Sequence, residues 1–150
     1  MDWDDREAKV TKPPGIGTDK LGRDIFDYAH GVWMGVPRSE IHWGPAVGHD
    51  RCVGCGLCHL TCGGRIVYDW CTVEARPTVP RYDNCSPGCN TCANLCPADA
   101  ITFPALAEIR AQQDQNHIVG KARKRLSGLR SRSHPTEDSA GVQLAVERHC

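Results

Sequence analysis

The sequence predicts a small α+β fold: a pseudo-two-fold core of short β-hairpins and short helices, a loop-rich N-terminal extension and a flexible C-terminal tail. Three observations carry that expectation. Eight of the ten cysteines fall into two tight groups of four, the two groups repeat along the chain, and large apolar side chains are scarce. The 150 residues include four Trp, three Tyr, two Phe and two Met, and the hydrophobic fraction of 40% counts the cysteines. So thin a stock is a poor basis for an ordinary core, and chemistry at the cysteines is expected to hold the chain. The organisation that follows is an extension over 1–46, a cysteine domain over 47–104, and a short helix with a polar, basic tail over 105–150.

The cysteines are Cys52, Cys55, Cys58, Cys62, Cys71, Cys85, Cys89, Cys92, Cys96 and Cys150. Thiols two residues apart rarely pair usefully, so disulfides are a poor reading. The start of the chain is acidic, with no apolar stretch after it, and a reducing, cytoplasmic compartment is expected. The apolar runs reach three residues, as in Val32-Trp33-Met34, far short of the ~20 that span a bilayer, so no membrane insertion is expected. Distant C-x2-C pairs also suit zinc. Zinc knuckles, however, usually take two cysteines each. Here Cys52, Cys55 and Cys58 follow at strict three-residue steps, which lets one curled loop place three thiolates around three corners of a cube-like cluster.

A fourth cysteine lies beyond each triplet, Cys62 in the first group and Cys96 in the second, and Pro97 follows Cys96. This C-x2-C-x2-C-x3-C-P grammar is the bacterial iron-sulfur run. The chain resembles the bacterial-type ferredoxins that carry two four-iron four-sulfur (4Fe-4S) clusters, from Cys52 to about Phe103. The resemblance implies that Cys52, Cys55, Cys58 and Cys96 hold one cluster and that Cys85, Cys89, Cys92 and Cys62 hold the other. It also implies that metal binding supplies much of the folding free energy.

An offset of 34 residues lays CGLCHLTC over CNTCANLC, superimposing Cys55, Cys58 and Cys62 on Cys89, Cys92 and Cys96. Such a repeat implies two similar halves. Ile66 and Ile101 then fall at nearly equivalent places, suited to covering a cluster. Two departures stand out. Cys85 and Cys89 are one residue further apart than the pattern, and Gly63 follows Cys62 where proline is usual. Pro87-Gly88 can absorb the additional residue in a tight turn. If it does not, Cys71 is the replacement ligand for Cys85; otherwise Cys71 is an ordinary thiol in a turn. That turn would join strand-like stretches at 65–70 and 77–82. Gly54 and Gly56 either let backbone N–H groups approach cluster sulfurs or simply punctuate the loop. His59 is expected to be a solvated loop histidine, and Cys150 a free thiol.

In the first flank, Thr18–Gly31 offers a short helix, with Thr18 as cap and Leu21, Ile25 and Tyr28 at helical spacing. Trp33, Met34, Ile41 and Trp43 beyond it either pack over the core or meet a partner. After Pro104, ALAEIRAQQ reads as a short helix docking Leu106 and Ile109. Lys121–Arg132 carries six positive charges and no acid, and reads as a solvated, disordered tail; nucleic acid is not expected as a partner.

Formal net charge is zero, whereas small diffusible members of the resembled family are commonly acidic, which aids steered encounters. The function expected is therefore single-electron transfer as a small subunit or dedicated partner of a larger oxidoreductase. A free ferredoxin and a zinc-stapled interaction module are the alternatives. No phosphate loop, nucleotide fingerprint or nucleophile arrangement points to an independent enzyme. On the subunit reading, removal of residues 1–45 is expected to spare the metal sites and abolish association.

Overall fold

The computed structural model describes residues 12–130. Its elements are short, as a chain of glycines, prolines and cysteines dictates. Four antiparallel strand pairs and four helices make the α+β fold expected. Two hairpins come first: β1 (Gly15–Thr18) with β2 (Asp24–Phe26), then β3 (Val32–Trp33) with β4 (Val36–Pro37). A 3-10 turn over Arg38–Glu40 leads to β5 (Ala46–Val47). The cysteine region follows, with α1 (Leu57–Thr61), the hairpin β6 (Asp69–Cys71) and β7 (Arg76–Thr78), a 3-10 turn over Tyr82–Asn84, α2 (Thr91–Leu95) and β8 (Ile101–Thr102). The chain continues through α3 (Leu106–Gln115) into α4 (Ile118–Arg130).

The repeat is visible in three dimensions. The 34-residue offset carries α1 onto α2 residue for residue, and the two helices pack on each other. Strand β5 pairs with β8, matching Ala46 with Thr102 and Val47 with Ile101, so the core closes on its own first and last strands. Hairpin β6–β7 stands in the middle of the sequence between them. Arg81 braces it: its guanidinium donates to the Ile66 and Tyr68 carbonyls at 2.5 and 3.0 Å and pairs with Asp69 at 2.6 Å.

The first flank departs from expectation. Thr18–Gly31 is a hairpin and turn, because local hydrogen bonds outcompete helical spacing. Asp19 Oδ1 accepts the N–H groups of Leu21 and Arg23 at 3.0 and 2.8 Å, and Gly22 takes φ +78°, which closes the turn between β1 and β2. Leu21 consequently points outward. Nor are residues 12–46 merely appended. Ile41 and Trp43 are among the most deeply buried side chains of the molecule, in one cluster with Val67, Tyr68 and Ile101. Of the apolar residues expected to pack, Met34 is left exposed.

At the other end α3 forms as expected and buries Ile109, while Leu106 faces solvent. The basic stretch is a correction: up to Arg130 it is helix α4, in which Ala, Leu, Lys and Arg outnumber the helix-disfavouring Gly120 and Gly128, and which is anchored through buried Ile118. Residues 131–150, including the remainder of the expected tail and Cys150, lie outside the described residues, as do residues 1–11.

Asn84 fastens the first flank to the cysteine region. It is 1% exposed, accepts the Tyr28 N–H at 3.1 Å and donates to the carbonyls of Phe26 and Arg65 at 2.9 and 3.1 Å. Asn84→Ala strands all three partners, so we expect a loss of roughly 3 kcal/mol, read as a lowered unfolding midpoint in denaturant. Conservative exchange of exposed Glu74 should leave the midpoint unmoved.

Candidate metal centre

Eight cysteines surround two cavities, and the partition crosses the repeat. Cys52, Cys55, Cys58 and Cys96 line the first, under an apolar cover that includes Val47, Pro77 and Ile101. Cys62, Cys85, Cys89 and Cys92 line the second, beside Val67, Tyr68 and Phe103. These are the two sets that the sequence resemblance implies. Each one-and-a-half-turn helix does the sorting: α1 carries Cys58 to the first cavity and ends at Cys62, in the second, while α2 carries Cys92 to the second and ends at Cys96, in the first. Ile101 covers the first cavity as expected, whereas Ile66, though 1% exposed, does not line the second.

The first loop curls because glycine permits it. Gly54 has φ +71°, and a Cβ there would lie 2.6 Å from the Ala75 carbonyl oxygen, so the loop sits tight against the β6–β7 turn. In the second loop the additional residue is absorbed as expected. The Cys89 N–H bonds to Ser86 O at 2.9 Å, with Pro87 and then Gly88 (φ +86°) at the centre of the turn, a sequence suited to type II geometry. Cys85 therefore reaches the second cavity. Cys71 does not line either one; it sits in β6 opposite Arg76, a strand residue where a turn residue was expected.

Cys85 is also held from behind. Arg38, 3% exposed, donates from Nε and Nη2 to Cys85 O at 3.1 and 3.0 Å. Its guanidinium also donates to Ile41 O and Trp43 O at 2.6 and 2.5 Å. Trp43 donates its indole N–H to Cys89 O at 3.0 Å and stacks on Phe103, ring centroids 5.4 Å apart. The first flank thus frames the second cavity, and removing residues 1–45 would take Arg38 and Trp43 with it. The expectation that such a truncation spares both sites is corrected accordingly.

The electrostatics suit a metal cluster. Burial pushes the Cys85 thiol up to about 12 and the Cys58 thiol up to about 11, and it raises Cys92 as well. Thiolates in these places need a compensating cation, which a metal provides. Two sulfurs already receive hydrogen bonds: Cys92 Sγ from the Tyr68 hydroxyl at 3.1 Å, and Cys96 Sγ from the Ala100 N–H at 3.3 Å. Burial also keeps Tyr68 protonated, hence a donor. Among the described residues no three Cys, His, Asp or Glu side chains converge on a single-ion site. The second cavity has a volume of about 210 Å³ and the first about 20 Å³, and it is the four-cysteine lining of each that suits an iron-sulfur group.

His59 departs from its expected place. It is buried in α1, its Nε2 3.3 Å from Arg23 Nη2 and its ring 6.2 Å from that of Trp70. Burial lowers its pKa. The sequence reading passed over Arg38, Trp43, Tyr68 and Asn84 as site residues. An arginine set within an apolar, proline-containing stretch was the available signal for the first of them.

No family model matches the chain. A curated relative, described as an uncharacterised ferredoxin of Methanocaldococcus jannaschii, is 31% identical over 105 residues, spanning 67% of this chain and 67% of its own length. With two four-cysteine cavities assembled across an internal repeat, and a relative of that identity and coverage, the chain belongs to the ferredoxin family.

Proposed function

We propose that this chain relays single, low-potential electrons through two 4Fe-4S clusters, as the small electron-transfer subunit or dedicated partner of a larger oxidoreductase. The observation that carries the reading is the crossed partition of eight cysteines between two adjacent cavities. Cys52, Cys55, Cys58 and Cys96 would hold one cluster, and Cys62, Cys85, Cys89 and Cys92 the other. Each cluster, when bound, supplies reversible one-electron chemistry.

The chain's own residues make that chemistry usable. Val47, Pro77 and Ile101 on one side, and Val67 and Phe103 on the other, place apolar surface against the cysteines. Cys55 and Cys89 are exposed, so each site has an outer edge within reach of a donor or acceptor. Packing of α1 on α2 keeps the two sites adjacent. None of this calls for a general acid, base or nucleophile, and the role is that of a carrier without catalysis of its own. A bound partner is favoured by zero net charge and by exposed Ile16, Leu21 and Val32 on the N-terminal hairpins. A cytoplasmic setting belongs to the same reading; among the described residues no helix is long and apolar enough to cross a membrane.

Anaerobic analysis of the purified chain should give about eight iron and eight sulfide, with a spin-coupled paramagnetic resonance signal after dithionite reduction. Zinc without sulfide would replace this reading with that of a stapled interaction module. In the same assay Cys62→Ser should strip the cluster held by Cys85, Cys89 and Cys92 and largely spare the one held by its sequence neighbours; the reverse pattern refutes crossed ligation. For the association, native mass measured in cell extract should exceed that of a 16.5 kDa chain, in a species retaining the iron. Elution as a free small protein favours a diffusible ferredoxin.

A further inference from the structure

The two cavities are nearly symmetric in cysteines and unequal in charge. No charged side chain lines the first. Arg65 lines the second, its guanidinium 3.7 Å from the centre of the Tyr28 ring, and Arg38 lies behind Cys85. The two cations differ in their setting. Arg65 is partly exposed, and water and salt screen it. Arg38 is buried, and its nearest countercharge is Asp83, 3.7 Å away with a side chain 41% exposed. Such a partner neutralises a buried guanidinium only in part, and in a low-dielectric interior the remaining field reaches further than it would in water.

Other groups near the sites bear on the balance. Tyr68 gives the second site a hydroxyl donor to Cys92 Sγ, against a backbone N–H from Ala100 to Cys96 Sγ at the first. Acidic Asp99 lies between Cys96 and Ala100 in the chain, and the Asp50 carboxylate lies beside Gly48, near Cys52. Exposed Arg51 adjoins Cys52 and is screened. Near the first site Arg23 donates to the carbonyl of His59, beside Cys58, but is paired with buried Asp19 at 2.6 Å, and partly exposed Arg76 donates to the His49 carbonyl. The first site thus has no counterpart to Arg38, a buried cation whose partner is substantially exposed, and the balance favours additional negative charge at the second.

We infer that Arg38 is a positioning and tuning residue that gives the site of Cys62, Cys85, Cys89 and Cys92 the greater electron affinity of the two, so that one electron shared by the pair rests there. Reduction adds one negative charge to a site and requires no proton or third reactant. The guanidinium stabilises that charge directly through its field. It also acts through its two hydrogen bonds to Cys85 O, which draw electron density from a residue that would bear the cluster. Arg38 and Trp43 belong to the N-terminal segment, so that segment sets the direction of electron rest as well as framing the site.

This inference rests on the two-cluster reading, and its test separates the two. Wild type, Arg38→Lys, Arg38→Gln and Asp83→Asn are loaded and assayed for iron and sulfide. They are then titrated with dithionite while the hyperfine-shifted β-protons of Cys58 and Cys92 are followed by nuclear magnetic resonance, one reporter for each site. In wild type the Cys92 site should be reduced first. Arg38→Gln should lower its reduced-to-oxidised ratio at least tenfold at a fixed applied potential, with a much smaller change at Cys58. Arg38→Lys, which keeps the charge, should retain most of the wild-type ratio. Asp83→Asn should move the ratio the opposite way, and because that side chain is substantially exposed it tests the sign even if Arg38→Gln does not load. Loaded variants with unchanged ratios, equal shifts at both reporters, or first reduction at Cys58 in wild type overturn the inference. Absence of iron and sulfide from wild type overturns the two-cluster reading instead.

Discussion

The crossing of cysteines between halves is the constraint on which the rest of the structure depends. A loop can present three thiols to one cavity, but the fourth must arrive from elsewhere, and here each half supplies the other's. α1 and α2 deliver it. They are too short to be stable alone, since isolated helices of five residues lack the length to offset nucleation. Their order comes from what sits at their ends. The halves therefore stand or fall together, and a chain this poor in large apolar residues gains cohesion that hydrophobic area alone would not supply.

A second layer of polar bonds surrounds that arrangement. Arg38, Asn84 and Arg81 each reach several carbonyls from different parts of the sequence, in loops with few ladder hydrogen bonds of their own. Buried carbonyls must be satisfied. In regular structure the strands and helices would do this; here the side chains of Arg38, Arg81 and Asn84 do it for carbonyls around the two cavities.

What was legible in the sequence was the part governed by covalent spacing. The triplets, the offset of 34, the turn at Pro87-Gly88 and the helix after Pro104 depend on neighbours a few residues away, and the structure has each of them. The apolar spacing of Leu21, Ile25 and Tyr28 suggested a helix, yet one aspartate, Asp19, captured the backbone N–H groups that a helix would have used. His59 looked like a solvated loop residue because nothing local shows that Arg23 and Trp70 will fold over it. Arg38 was invisible for the same reason: its partners Cys85 and Asp83 lie more than forty residues away. Sequence periodicity reports on local geometry, and the second layer is made of non-local bonds.

The pairing of β5 with β8 gives the core a ring-like connectivity. Residues 45 and 103 leave adjoining strands, and the stacking of Trp43 on Phe103 marks where the two flanks pass each other. Both flanks consequently depart from the same end of the core, beside the second cavity that Pro45 and Phe103 line, and the N-terminal flank reaches back to β6 where Lys20 donates to Trp70 O at 2.6 Å. A segment lengthened or exchanged at the shared end would bear on the second cavity, whereas neither flank lines the first. Change in the flanks can thereby alter the lining around one set of thiols while that around the other stays fixed.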